Sequence, residues 1–436
     1  MNLHKFIFLL GQRFRNPSLH KVFKELKQTE KLSLKDLEYL QLEKLKAIVL
    51  HAYQNSAYYK NVFDKAGVHP SDIHSLTDIS KFPSITKSDL IQHNKEIHTT
   101  NTVKYSKLFK ANTSGSTGQS LHFLRDEYTD SFNRASIFRG YSWYHVNPWE
   151  YNIYFWGFNF SILRKIKTIL MDALVNRFRL FSYLEKDFFT MIRHLKKAKY
   201  ISGYSSMIYQ TAKLINEKQY PKPKNLKMVK GTSEKIYESY QEEIHKAFGL
   251  KMISEYGAAE TGIIAFECPY GKMHLNIEGV VVETNDESEI IVTNLITKSF
   301  PVIRYKLGDY VKLDVNNSKC NCGLNHPILE EVTGRIGDII FGKKNIYPSL
   351  YFYYIFKNLD KEQKITLTYQ IFQEEKGKLI FAIKEPMNEI QIEKLKNEII
   401  KYFNDDMIFE IKPNEPIIFG RTTKMKSFIS KISINK

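Results

Sequence analysis

Apolar positions recur at three- and four-residue spacing through residues 20–68, where Leu34, Leu37, Leu40, Leu42, Leu45, Ile48 and Val49 stand between charged neighbours. That spacing predicts helix. Val68-His69-Pro70-Ser71-Asp72 reads as a turn, and Thr86 as the cap of a further short helix. A strand is expected over Val103 to Phe109, and helix over 126–142 and over the basic stretch 187–219, which Tyr220-Pro221-Lys222-Pro223 ends. From 226 to 312 short β-type runs alternate with turns, Glu289-Ile290-Ile291-Val292-Thr293 among them. Beyond Gly334 the pattern changes again. Ile365 to Tyr369 and Leu379 to Ile383 predict strands, and Ile408 to Ile411 another. Glu389 to Phe403 predicts an amphipathic helix with Ile392, Leu395 and Ile399 on one face. The expectation is an α/β chain in two domains: a large one over 1–333, helical over about 1–100, and a small α+β one over 334–436.

Composition agrees with a folded chain of more than one compact unit: 436 residues, 43% hydrophobic and 14% aromatic. The excess of 64 Lys and Arg over 47 Asp and Glu, a net charge of +17, suits a polyanionic partner or a nucleotide. A Lys-, Ile- and Asn-rich soluble enzyme accounts for it more simply, and no nucleic-acid-binding motif is present. Three cysteines exclude a disulfide framework and fit a reducing compartment. The apolar run Phe6-Ile7-Phe8-Leu9-Leu10 is too short to span a bilayer and has no cleavage site after it. A cytoplasmic protein is expected, and this run, flanked by His4, Lys5, Arg13 and Arg15, could touch the inner membrane face.

The chemistry is densest at Asn112-Thr113-Ser114-Gly115-Ser116-Thr117-Gly118-Gln119-Ser120. Hydroxyls and backbone N–H groups so closely spaced suit the oxygens of a polyphosphate. The stretch is neither a Walker loop nor a dinucleotide fingerprint, and by itself could be a flexible Ser/Gly loop. Four segments follow in order: Gly231-Thr232-Ser233-Glu234, Glu255-Tyr256-Gly257-Ala258-Ala259-Glu260-Thr261, Arg304-Tyr305-Lys306-Leu307-Gly308-Asp309, and Gly334-Arg335-Ile336-Gly337-Asp338. Taken together, with Ala52 to Tyr59 and Ser202 to Ser206 as weaker matches, they resemble the adenylate-forming superfamily. Within it the chain is similar to the phenylacetate–CoA ligase branch and its capsule-biosynthesis relatives.

The resemblance implies a large nucleotide-binding domain and a mobile C-terminal lid. It also implies ATP-dependent activation of a carboxylic acid, which brings two anions together and therefore needs charge neutralisation and alignment. By the same match Thr113, Ser114, Gly115, Ser116, Thr117 and Gly118 would hold the β- and γ-phosphates, with Ser233 and Glu234 in the second segment of the site. Glu260 would bind Mg²⁺, Tyr256 beside Gly257 would stack on adenine, and Asp309 would accept from the ribose hydroxyls. Arg335 would lie near ribose or phosphate. For the catalytic lysine, Arg421-Thr422-Thr423-Lys424-Met425-Lys426-Ser427-Phe428-Ile429-Ser430 leaves Lys424 and Lys426 open, with Lys424 preferred. Two positions depart from the family pattern. Ala259 stands where a Thr or Ser hydroxyl is common, and Gly337 where Asp or Lys marks the hinge. These departures leave room for a non-catalytic nucleotide- or glycan-binding relative.

A second constellation is independent of ATP. Cys268, His274, Cys320 and Cys322 contain every cysteine of the chain, and three thiolates with an imidazole suit a closed, structural Zn²⁺ site. The alternative is two unrelated turns with buried thiols. The acid is expected near 151–189, where Tyr154, Trp156, Phe158 and Phe160 could line a pocket and Arg164, Lys165 and Lys167 could meet an anionic acceptor. The adenylate would pass to an amine, such as an amino sugar on a sugar nucleotide or lipid-linked carrier, or to coenzyme A.

Overall fold

The computed structural model describes residues 3–113, 121–156, 162–181, 185–234, 236, 238–316, 318–335, 339–418 and 427–432. The chain forms two compact units. Met1–Ile236, Glu243–Leu307 and Val311–Glu331 make the larger; Tyr237–Glu242, Gly308–Tyr310 and Val332–Lys436 make the smaller.

The larger unit begins with α1 (Leu3–Arg15), α2 (Leu19–Thr29), α3 (Leu34–Asn55), α4 (Ala57–Ala66), α5 (Lys87–Gln92) and α6 (Asn94–Ile97). Serines divide the periodic stretch 20–68. Ser33 Oγ accepts from Asp36 N and Ser56 Oγ from Tyr59 N, which starts α3 and α4. Thr86 caps α5 in a reciprocal box with Asp89. Tyr59 is buried, and its hydroxyl donates to Pro301 O and accepts from Ile303 N, both at 3.1 Å. The Ala52–Tyr59 segment thus ties the helices to the stretch that leads into the Arg304–Asp309 segment.

A hairpin of β1 (Leu108–Asn112) and β2 (His122–Asp126) brackets the Ser/Thr/Gly stretch, and α7 (Glu127–Trp143) follows, capped by Asp126. The strand lies later than Val103–Phe109 because its register is set by pairing with β2, Leu108 opposite Asp126.

The main sheet comprises β3 (Asn152–Phe155), β4 (Arg177–Leu180), β5 (Tyr200–Tyr204), β6 (Met228–Thr232), β7 (Met252–Ala258), β8 (Gly262–Glu267), β9 (Met273–Leu275), β10 (Val280–Thr284), β11 (Glu289–Asn294), β12 (Tyr305–Leu313) and β13 (Ile328–Arg335). Their order is β10-β11-β12-β13-β9-β8-β7-β6-β5-β3-β4. Strands β3 to β7 run parallel, with α8 (Ile162–Leu174), α9 (Glu185–Leu195), α10 (Ser205–Glu217) and α11 (Glu238–Phe248) between them in sequence.

Two expectations are corrected here. The stretch 187–219 is not one helix, because β5, buried at every position, runs through it. Nor is 226–312 only strands and turns, since α11 lies within it.

The smaller unit contains the hairpin β14 (Ile339–Phe341) and β15 (Ile346–Pro348), then α12 (Leu350–Gln363), β16 (Tyr369–Gln373), β17 (Lys378–Ile383), α13 (Glu389–Phe403), β18 (Ile408–Lys412) and β19 (Phe428–Ser430). Its four-stranded sheet, β18-β17-β16-β19, packs with the two helices around Phe352, Ile371, Phe381, Leu395 and Phe403. The strand expected at Ile365–Tyr369 starts at Tyr369, and α12 had no counterpart in the sequence reading. No helix among the described residues is long and apolar enough to cross a membrane.

Candidate active site and metal cluster

In an open parallel sheet ligands collect outside the carboxyl ends of the strands. Here β6 ends on Gly231-Thr232 and β7 carries Glu255 and Tyr256. Gly231 has no room for a side chain: a Cβ there would stand 2.5 Å from Ser205 Oγ. Ser233 takes a left-handed φ of 66° and is exposed, and the Glu234 carbonyl accepts from Ser205 Oγ at 3.3 Å. Beneath these residues lies a buried ion pair that the sequence reading missed. Lys230 Nζ sits 2.6 Å from Glu255 Oε2, with Thr232 Oγ1 donating to Oε1 at 3.2 Å. A lysine inside a buried strand, with an acidic residue on the neighbouring strand, was the available signal.

Tyr256 is half-buried at a register shift between β7 and β8. A Cβ on Gly257 would collide with the Gly262 carbonyl, and one on Gly262 (φ 76°) with Asn133 Oδ1. Both glycines therefore close the turn that carries Glu260. The turn is fixed at either side. Arg125 Nη2 donates to Ala259 O at 2.6 Å, and Asn294 Nδ2 to Thr261 O at 2.8 Å. Asn294 is itself held by Ile296 N and Thr297 N. Glu260 is buried, and Tyr305 Oη donates to its Oε1 at 3.1 Å. Arg304 holds Tyr305 in place. Its guanidinium spans both Glu283 oxygens at 3.1 Å and also donates to the Ser80 and Phe82 carbonyls, which sustains a left-handed φ of 49°. Arg304 and Tyr305, quoted in the motif but given no role, thus form the support of Glu260.

On the expected acid side, Trp156 stacks on Tyr204 with centroids 4.7 Å apart, and Arg177 and Arg179 lie over Tyr154 at 4.3 and 4.8 Å. Asp172 pairs with both arginines, most closely Arg179 Nε at 2.6 Å. A cavity of about 550 Å³ beside β4 is lined by Lys165, Asp172, Arg177, Arg179, Phe181 and His194. Phe158 and Phe160 lie outside the described residues.

Thr113 follows β1, where its N–H donates to Leu121 O and its Oγ1 accepts from Leu121 N, both at 3.0 Å. Ser114, Gly115, Ser116, Thr117 and Gly118 lie outside the described residues, as do Gly337, Lys424 and Lys426. Asp309 is buried in β12, next to Gly308 at φ 80°, and Arg335 ends β13.

The cluster Cys268, His274, Cys320 and Cys322 brings its ligand atoms within 4.8 Å of one another. Cys268 Sγ is 3.6 Å from Cys320 Sγ, and Cys322 Sγ is 3.1 Å from His274 Nε2. Two tight turns supply the thiols. In one, Gly271 (φ 77°) closes the turn from Cys268; in the other, Gly323 N donates back to Cys320 O. Backbone N–H groups of Lys272 and Tyr270 point at Cys268 Sγ, and that of Leu324 at Cys322 Sγ. Burial nevertheless pushes the Cys268 thiol up and Cys322 up to about 12, and it lowers His274. His274 Nδ1 is 2.9 Å from the His326 carbonyl, which makes it the donor and leaves Nε2 toward the thiols. Donor type, spacing and outer hydrogen bond all fit tetrahedral Zn²⁺.

No family model matches the chain. It is 23% identical over 329 residues to Protein CapK of Staphylococcus aureus, covering 73% of this chain and 72% of that protein. It is 22% identical over 352 residues to the phenylacetate-coenzyme A ligase of Thermus thermophilus, covering 74% and 76%. A segment of 66 residues is 50% identical to the phenylacetate-coenzyme A ligase of Aromatoleum evansii, 15% of each chain. Among solved structures, 2-hydroxyisobutyryl-CoA ligase in the postadenylation state with R3-HIB-AMP matches at a TM-score of 0.70 and 16% identity, covering 93% of this chain and 92% of that one. Fold, motif order and curated relatives agree: the chain belongs to the adenylate-forming superfamily of AMP-forming ligases, on its phenylacetate–CoA ligase-like side.

Proposed function

We propose that the protein uses ATP to activate a carboxylic acid as an acyl- or aminoacyl-adenylate and passes the acyl group to an amine, or alternatively to coenzyme A. The observation that carries this reading is Glu260, a buried carboxylate held by Tyr305 in a turn clamped by Arg125 and Asn294. A carboxylate so fixed suits Mg²⁺ on the phosphates, which would neutralise charge as pyrophosphate leaves. Thr113 to Gly118 would hold the phosphates, Ser233 and Glu234 would border the nucleotide, Tyr256 with Gly257 would take the adenine, Asp309 the ribose, and Arg335 the ribose or phosphate. Lys424, or failing it Lys426, would supply the cation for adenylation. The acid would lie by Trp156 and Tyr204. The arginine-lined cavity supports an anionic acceptor such as a sugar nucleotide or lipid-linked amino sugar, and the likeness to capsule-biosynthesis relatives points to surface polysaccharide at the inner membrane face. Cys268, His274, Cys320 and Cys322 would hold a structural Zn²⁺ that pins the turn at 268–272 to the loop at 320–323.

The test is pyrophosphate release from ATP across a panel of aromatic, aliphatic and amino acids, with hydroxylamine trapping the adenylate. Release with one class of acid is expected, and Lys424→Ala should slow it by a hundredfold or more, about the scale of one preorganised electrostatic contact. Lys426→Ala is the control. If no acid gives release and ATP does not bind, the ligase reading fails and the chain is a binding relative of the fold.

A further inference from the structure

Helix α8 is built inside out. An amphipathic helix normally turns its apolar stripe to the core, yet here Leu163 is 82% exposed, and Ile166, Leu170 and Leu174, at the three- and four-residue spacing that shares its face, are exposed with it. The opposite face carries Asp172, buried against Arg177 and Arg179. Helix α1 repeats the arrangement. Phe8 packs inward on Phe138 and Trp149, while Leu3, Phe6, Leu10 and Phe14 form an outward stripe, Phe14 at 72% exposure. The two helices adjoin, with His4 Nδ1 3.4 Å from the Leu174 carbonyl. Of 21 large apolar side chains exposed among the described residues, five lie on α1 and six on α8. Half of the exposed apolar material is therefore gathered at one place, beyond what scattered surface residues produce.

The exposed charges that the two helices carry are of one sign. Arg13 and Lys167 are exposed, Lys5 lies over Trp149, and α1 contains no acidic residue. The single acid of α8 is Asp172, turned inward. An apolar face with a basic rim matches the acyl boundary and headgroups of an anionic bilayer. A second copy of the chain would bring the same basic rim to it. We propose that α1 and α8 together seat the protein on anionic phospholipid, lying in the interface without crossing it.

Co-sedimentation tests this with vesicles of phosphatidylcholine alone or mixed with phosphatidylglycerol. The assay needs neither ATP nor acid, so its outcome is separate from that of the ligase reading. Binding to the phosphatidylglycerol vesicles and its weakening by salt are expected. Leu163→Ser with Leu170→Ser should lower partitioning at least about tenfold, since each removes most of an exposed leucine's apolar area. Arg13→Ala and Lys167→Ala should each lower it about fivefold on anionic vesicles and leave neutral ones unchanged. All these side chains are exposed, and an unchanged melting temperature would confirm that each variant is folded. Absence of sedimentation with anionic vesicles at low salt overturns the proposal. So does a dimer in buffer that Leu163→Ser with Leu170→Ser dissolves, because a second copy would then cover the face.

Discussion

If Glu260 holds Mg²⁺ as proposed, its carboxylate must keep one position whether or not the cation is bound, and that constraint falls on Tyr305. The phenol donates to one oxygen, and the Arg304 clamp on Glu283 fixes the strand from which it does so. Tyr305→Phe keeps the ring and removes this bond to a charged group, worth about 1.5–3 kcal/mol. Adenylation should fall about tenfold or more with a higher Mg²⁺ requirement, a readout that a loss of packing would not move. Glu278 is a second buried carboxylate with a different task. Burial opposes its charge, but Arg139 at 2.5 Å and His326 at 2.9 Å hold it well below the usual carboxylate range, and Thr29 also donates to it. Because its folded value is depressed, the stability it contributes is present above about pH 4.3 and is lost as pH falls below that. Glu278→Ala should cost about 3–5 kcal/mol in denaturant melts by leaving Arg139 uncompensated, and should flatten the acid side of the stability profile.

Among the elements, what was legible followed from local rules. The Thr86–Asp89 box announces α5, and the spacing of Ile392, Leu395 and Ile399 marks α13 as an amphipathic helix without tertiary help. Strand β5 was lost because a strand buried on both faces has no alternation, and Tyr200–Tyr204 joins smoothly to the helical periods on either side. Strand β16 was misplaced because its start is set by pairing with β17, Tyr369 opposite Ile383, and pairing is not written in one strand alone. At the site, glycines and motif residues could be read in order along the chain. The Lys230–Glu255 pair and the support of Glu260 by Tyr305 exist only once β6, β7 and β12 have their places in the sheet. The four candidate ligands could be grouped because every cysteine belonged to the group, and the fold brings the 268–274 hairpin against the 320–323 loop. If Zn²⁺ pins these elements, a chelator should release about one ion per chain and lower the melting temperature. Cys322→Ser should do the same without chelator. Metal content by mass spectrometry together with a thermal melt checks both.

Over the whole molecule, the net charge of +17 is less informative than its local arrangement. Arginines line the cavity beside β4, and a basic rim borders the apolar faces of α1 and α8. Confinement of all three thiols to one cluster has a further consequence for the molecule as a chemical reagent. Every sulfhydryl titration of this protein reports on a single place, and, if the cluster holds Zn²⁺ as proposed, a cysteine introduced anywhere else would be its sole independently addressable label. The same economy leaves no sacrificial thiol: an oxidant that reaches Cys268 and Cys320, 3.6 Å apart, meets first the groups on which the 268–274 hairpin depends.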